Sequence, residues 1–433
     1  PPADRAFAED GTPTRAAIGF ARSKGVEISD LDVREIDGGD YVTAVVRQQG
    51  KSAQKVLPEA LNELVTNLHF RKSMRWNHTN VTFSRPVRWL LALHGKTIIP
   101  FEFAGLRAWN LTRGLRFLAP NEITVENPDE YFAALAEQGI ILDQAERKAA
   151  IQRQINALAA EVGGEIPPDP DLLTEVTHLV EAPTALRGDF DPTHLNLPRE
   201  VLTSVMKKHQ RYFPVEKAGN LLPYYITVAN KPPREDAQEA YQLITQGNGD
   251  VIRARFTDAA YFVRKDTEKA LEAYVPELDL LTFQEVLGSM LDKTERNVAL
   301  VEELAPMLDL NPEEKETARR AAQLCKADLA TQMVVDMTSL QGIMGYHYAL
   351  RSGEGEDVAL AIREHYLPAS ADDPAPTEKP GLAVGVADRL DTLIGLFTAG
   401  MIPTGNKDPF AQRRAALGLV GNLIAWDLDF DLR

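Results

Sequence analysis

The rhythm of apolar and polar positions changes along this chain. Up to about residue 267, short strand-like and helix-like patterns mix; beyond it, helical periodicity is nearly continuous. "YVTAVVRQ" (41–48) is rich in β-branched residues and predicts a strand. "VLPEALNELVTNLHF" (56–70) predicts an amphipathic helix with Leu61, Leu64 and Leu68 on one face. "RPVRWLLALHG" and "TIIPFEF" predict two strands around a His-Gly-Lys turn, and 221–230 a further strand. "NPDEYFAALAEQGI" predicts a helix capped by Asn127 with Pro128 at its first position, and a second helix over roughly 143–162 ends at Gly163-Gly164. In the second region, "NPEEKETARRAAQLCKADLATQMVVDM" predicts one long helix with Asn311 as cap and Glu314 three residues on. "DVALAIREHY", "LAVGVADRLDTLIGLF" and a helix opening at Asp408-Pro409 follow, with a proline-rich loop at 368–381. The pattern therefore predicts a multi-domain α+β protein: a mixed region over 1–267 with a helical insertion near 128–165, then an all-α region over 268–433.

Composition adds limits. Hydrophobic residues make up 44% and charged residues 25%, the balance of a globular chain. No apolar run is long enough for a membrane helix, and the polar start has no signal-peptide core. One cysteine, Cys325, excludes an internal disulfide and a cysteine-rich zinc site, which fits a reducing cytoplasm. The net charge of −16 argues against indiscriminate nucleic-acid binding. Residues 71–116 break that average. Nine basic residues there face a single acid, Glu102, giving +8 and leaving −24 for the rest. Three of the four tryptophans, Trp76, Trp89 and Trp109, share this stretch.

Two stretches suit contacts with RNA. In "SVMKKHQRYFPV" (204–215), Lys207, Lys208 and Arg211 offer charge to phosphates and Tyr212 a ring for stacking; a solvated helix end followed by a strand explains the same residues. In 71–116, Arg71, Lys72, Arg75, Arg85 and Arg88 could track phosphates between indole platforms. The alternative there is three core tryptophans with arginines that merely face water. "DVIRARFTDAAYFVRKDT" (250–267) reads instead as a helix with Ala259, Phe262 and Val263 inside and opposed charges paired along it.

The helical region carries a damaged pattern. Phosphohydrolases of the His-Asp class hold a divalent metal with a histidine on one helix, adjacent His and Asp on another, and a later Asp. Here Lys293, Lys326 and Ala327 stand where the first three ligands belong, and only Asp388 remains. If the register slips by one, Cys325 and Lys326 take the middle pair. An ammonium cannot coordinate a metal. No Walker loop, dinucleotide fingerprint or nucleophile elbow appears, so no complete catalytic centre is legible.

Six motifs in order, "MKKHQRYFPV", "FTDAAYFVRKD", "LGSMLDKTERN", "KADLATQMVVDMTSLQGIMGYHYA", "VADRLDTLIGLF" and "PTGNKDPFAQRRAALG", resemble the β subunit of bacterial glycyl-tRNA synthetase. The resemblance implies a ligase subunit that binds tRNA for glycyl-tRNA aminoacylation in protein biosynthesis. It implies a heterotetramer of two α and two β chains. ATP and Mg are expected at the catalytic α subunit, with no cofactor or metal in this chain. It implies an N-terminal half similar to the tRNA-binding and editing-like domains of the phenylalanyl-tRNA synthetase β subunit, and a helical half similar to His-Asp phosphohydrolases that lost their ligands. Family members carry a further N-terminal segment and a C-terminal anticodon-binding region that are not found in these residues. An active metal-dependent phosphohydrolase and a pure protein-interaction scaffold are the competing functions.

Overall fold

The computed structural model describes residues 1–433 except 47–49, 117, 121, 233–236, 371–372, 406 and 430–433. The chain forms two compact units, Pro1–Glu137 and Gln138–Arg433.

The first unit holds two small cores. In one, helix α1 (Arg15–Lys24) is capped by the Thr14 hydroxyl and packs Ala17 against Val42 of the hairpin β1 (Leu31–Ile36) and β2 (Gly39–Ala44). The strand expected over 41–48 thus begins at Gly39 and ends at Ala44; its last two expected residues lie outside the described ones. Around the other core, helix α2 (Ala53–Thr66) turns Leu57, Leu61 and Val65 inward, while Leu64 and Leu68 are exposed. The stripe is therefore offset from the expected one: an i, i+4 row through Leu61 wins over the row through Leu64.

The rest of this core is a curled arrangement of short strands. β3 (Leu93–His94) pairs with β4 (Thr97–Ile98) through the expected His-Gly-Lys turn, and β5 (Glu102–Phe103) pairs with β6 (Leu106–Arg107). The chain then returns, and Trp109 bridges Leu91 in parallel. β7 (Leu111–Thr112) pairs with β8 (Ile123–Thr124). Ala92, Ile99, Phe101, Phe103 and Ala108 fill the inside. Helix α3 (Tyr131–Glu137) closes the unit, preceded by Asn127, whose side chain accepts from the Asp129 amide at 3.3 Å.

The second unit opens with α4 (Gln144–Ala160) and α5 (Pro170–Leu179), which cover an antiparallel sheet of order β10–β11–β9. Its strands are β9 (Pro183–Asp189), β10 (Phe213–Lys217) and β11 (Asn220–Asn230). Gly188 pairs with Tyr225, and a Cβ there would lie 2.3 Å from the Tyr225 ring, so only glycine admits this ring over the sheet. Between β9 and β10, α6 (Arg199–Ser204) runs into one π-helical turn, Val205–His209. Helix α7 (Gln238–Asp266) crosses the sheet and leads into the helical region.

That region comprises α8 (Met290–Met307), α9 (Pro312–Leu324), α10 (Gln332–Asp336), α11 (Ile343–Arg351), α12 (Glu356–Glu364), α13 (Lys379–Thr398) and α14 (Gln412–Ala425). One core runs through it and back before residue 267: Phe190, Tyr212, Tyr225 and Phe256 belong with Leu304, Leu324, Met344 and Leu393. The shift of pattern near 267 is thus a change of secondary structure inside one unit. The compact units divide at Glu137, within the expected insertion 128–165, so that α3 and α4 fall on opposite sides.

The long helix expected from Asn311 is broken. Its start has the expected capping box, with the Asn311 side chain accepting from the Glu313 and Glu314 amides, but α9 stops at Leu324. Asp328 is fully buried, and its carboxylate accepts from the Gly342 amide at 2.6 Å and the Gly345 amide at 3.0 Å. Asp266 accepts from the Gln332 and Met333 amides and from the Tyr348 hydroxyl, capping the restarted helix α10. Asp328, within the break, and the distant Asp266 therefore spend their carboxylates on backbone amides where local periodicity predicts a continuous helix.

Candidate functional site

The break after Leu324 presents Lys326 to a buried nest of charge. Lys326 is 3% exposed, and its Nζ donates to Asp388 Oδ2 at 3.1 Å and to His365 Nε2 at 2.9 Å. The same ammonium lies 4.2 Å from the Tyr366 ring centre. From α8, Lys293 Nζ donates to the Asp388 carbonyl at 3.0 Å, Asp391 Oδ2 at 2.9 Å and Thr392 Oγ1 at 2.9 Å, and stands 3.2 Å from Asp388 Oδ1. One turn on, Arg296 grips Asp391 at 2.5 Å through Nε, and Asn297 donates to Asp388 Oδ1 at 3.1 Å. Helical spacing supplies the alignment: Lys293, Arg296 and Asn297 share one face of α8, while Asp388, Asp391 and Thr392 share one face of α13.

The electrostatics are those of a closed clamp. Burial opposes the charged form of Asp388, but Lys293 and Lys326 together hold its carboxyl well below the usual range. Burial, then Lys326, pushes the His365 imidazole well below its ordinary value, so it is neutral. Its Nδ1 donates to the Ile362 carbonyl at 2.6 Å, which leaves the Nε2 lone pair for the Lys326 ammonium. Ala327 is buried and apolar beside it, and Cys325 is a buried thiol pushed up to about 12 by desolvation.

The nest does not fit a divalent cation. Asp388 Oδ2 already accepts from the Lys326 ammonium and Oδ1 from the Asn297 amide with the Lys293 ammonium 3.2 Å away, and the His365 imidazole spends its lone pair on Lys326. Among the described residues, no three His, Cys, Asp or Glu side chains come together as a metal set. Three cations, Lys293, Lys326 and Arg296, face the two carboxylates Asp388 and Asp391. Asp391 and Arg296 are missing from the sequence reading. The signal was present: Asp388 and Asp391 lie three apart on a largely apolar helix that also carries Arg389, and buried carboxylates demand partners.

The stretch "MKKHQRY" is mostly committed to the protein itself. Lys207 pairs with Asp169 at 2.9 Å, and Arg211 Nε with Glu175 at 2.9 Å, both acids belonging to the start and body of α5. Arg211 takes a left-handed φ of 59°. Tyr212 is 4% exposed; its ring stacks on Tyr225 at 5.0 Å and its hydroxyl donates to Asn248. Burial pushes that phenol up to about 12. Tyr212 is therefore a core ring and no stacking platform for RNA. Lys208 and His209 are exposed.

In 71–116 the geometry separates the tryptophans. Trp76 packs against the core of the curled strands, while Trp89 is 39% and Trp109 49% exposed. Arg71, Lys72, Arg75, Arg85 and Arg88 are all exposed. Arg75 donates to the Asn80 carbonyl and Arg85 to that of Ser84. Arg113 pairs with Glu122 at 3.1 Å, and among the described residues no ion pair joins those five. In 250–267, the expected pairing holds for Arg253 with Asp250, and Ala259 and Val263 are buried.

The structure thus carries an exposed basic surface in its first unit and a buried lysine–carboxylate nest in its second. The chain belongs to the glycyl-tRNA synthetase beta subunit family, whose sequence profile matches residues 1–433. It is 48% identical over 433 residues to the glycine–tRNA ligase beta subunit of Moorella thermoacetica, covering all of this chain and 62% of that protein. It is 42% identical over 425 residues to that of Bacillus subtilis, covering 98% of this chain and 62% of the relative. The corresponding protein of Synechocystis is 43% identical over 437 residues, with 59% of its length covered. The chain thus spans about three fifths of the length of the curated relatives it matches. No helix among the described residues is long and apolar enough to cross a membrane.

Proposed function

We propose that this chain is the non-catalytic, tRNA-binding part of the β subunit of glycine–tRNA ligase, acting in the cytoplasm with a catalytic α subunit. Two α and two β chains form the enzyme, and ATP, Mg and glycine bind on α. The family assignment supports the ligase role, and the lysine clamp supports a chain that contributes framework rather than catalysis. The carrying observation is Asp388 held between two ammonium groups, at positions where the resemblance to His-Asp phosphohydrolases expects metal ligands. The helical region is then a His-Asp phosphohydrolase scaffold whose ion has been replaced by side-chain charge. The mixed region before it is akin to the tRNA-binding and editing-like part of the phenylalanyl-tRNA synthetase β subunit. The lysine clamp weighs against an active phosphohydrolase, and the +8 stretch against a scaffold without RNA.

The test is a titration with tRNA(Gly) at two salt concentrations, with and without the α subunit. Binding that weakens with salt, together with no ATP–pyrophosphate exchange by this chain alone, is the expected result. Exchange without α, or no tRNA binding in either arm, overturns the reading.

A further inference from the structure

The outward face of the curled strands in the first unit carries two exposed indoles, Trp89 and Trp109. Side chains alternate along a strand, so Leu90 and Ala92 point to the core while Trp89 and Leu91 point away. Trp109 bridges Leu91 in parallel, with the Ala92 amide donating to the Trp109 carbonyl at 3.2 Å and the Trp109 amide to the Leu90 carbonyl at 3.0 Å. A bridged pair shares one face, so Trp109 stands beside Leu91 and about two residues along from Trp89. Its neighbour Ala108 is fully buried, as that alternation requires.

Cations frame these rings. The Arg113 guanidinium lies 5.5 Å from the Trp89 ring centre and is steadied by Glu122. Arg107 is exposed two residues before Trp109 on the same side. An apolar protein surface would leave the exposed Arg107 guanidinium without compensation, whereas a polyanion with flat rings satisfies both features. Paired bases hide their faces inside a duplex, so only unpaired nucleotides can lie on exposed indoles.

We propose that Trp89 and Trp109 form a stacking platform for unpaired RNA nucleotides, with Arg107 neutralising an adjoining phosphate and Arg113 steadying the Trp89 ring. The assignment rests on the reading that the chain binds tRNA, and it names the kind of tRNA segment this face takes: a single-stranded one.

The experiment uses the full-length chain, a short single-stranded RNA oligomer, the same oligomer annealed to its complement, and tRNA(Gly). The single strand quenches tryptophan emission and the duplex does not. Trp89→Leu and Trp109→Leu each weaken binding of the oligomer about tenfold, the range for losing one base–ring stack. Trp89→Phe and Trp109→Phe keep a ring and restore most of that affinity, which a merely structural role would not require. Unchanged oligomer affinity in both leucine variants overturns the platform, as does equal quenching by the duplex. Leucine variants that lose a protein partner while binding RNA normally also overturn it. Ring-dependent binding of the oligomer alongside absent tRNA binding upholds the platform and sinks the tRNA reading instead.

Discussion

Lys326 and Asp388 are 62 residues apart in sequence and 3.1 Å apart in space. Their contact closes a buried clamp in which two ammonium groups share one carboxylate. Removing one member of such a pair leaves an uncompensated buried charge, a larger loss than the pair itself contributes. Lys326→Met should therefore cost about 3–5 kcal/mol in urea unfolding. Lys326→Met combined with Asp388→Leu should cost less than the sum of the single changes, because neither charge is then stranded. A single-variant cost under about 1 kcal/mol, the range of an exposed pair, would show that the clamp is solvated.

The same geometry makes a statement about metal. A ligand that binds only the folded state raises its stability by RT ln(1 + [L]/Kd). Manganese, iron or zinc added to the wild-type chain should leave Tm unchanged, and elemental analysis should find far less than one equivalent. A bound equivalent lost on Asp388→Asn would place a cation inside the clamp and contradict the ammonium assignment.

The basic stretch around the π-helical turn separates into two kinds of residue. Lys207 and Arg211 hold Asp169 and Glu175, so Lys207→Ala and Arg211→Ala should lower stability by roughly 0.5–1 kcal/mol each and leave the salt dependence of tRNA binding nearly unchanged. Lys208→Ala should do the reverse. A salt slope that falls by about one unit per substitution at Lys207 or Arg211 would mean that these ion pairs open to admit phosphate.

Local signals were readable because they act within one turn of chain. The Asn311 capping box and the Asn127 cap each depend on residues two or three positions away, and each is present. Signals that depend on tertiary partners were not. The acids that neutralise Lys207 and Arg211 lie 38 and 36 residues earlier, beyond any window in which charge patterning works. The helix through 325–331 is interrupted by carboxylates at 266 and 328 whose acceptors are used on backbone amides of other elements. Lys293, Lys326 and Asp388 were legible only as positions; that Lys326 rather than Ala327 faces Asp388, and that His365 and Asp391 complete the nest, follows from the break. Trp76 and Trp89 differ in burial for a similar reason, since strand parity is set by the register of the curl.

If the exposed arginines of the first unit track phosphates, replacing them should change the number of counterions released. Arg71, Lys72, Arg85 and Arg88 changed together to alanine should reduce the slope of log affinity against log salt by roughly 3, with little change in Tm, since none is ion-paired among the described residues. An unchanged slope in tRNA titrations would remove this face from the RNA path.

Glu200 gives a pH prediction with a definite sign. It joins α6 to α11, accepting from His347 Nε2 at 3.1 Å with Arg363 3.7 Å away. The His347 hydrogen bond, against the opposing effect of burial, lowers its pKa from 4.5 to about 2. A depressed carboxyl binds its proton more readily in the unfolded chain. Its stabilisation is therefore complete above about pH 5 and is lost as pH falls from 4.5 through about 2. The contact is partly solvated, so its contribution is on the order of 1–2 kcal/mol. Glu200→Gln should reduce stability at pH 7 by that amount and flatten the acid limb of the stability curve between pH 5 and 2. His347→Ala should do much the same, and the double variant should add little, because both changes remove one contact. Parallel acid limbs for wild type and Glu200→Gln in urea unfolding at successive pH values would show that the carboxylate titrates as it does in the unfolded chain.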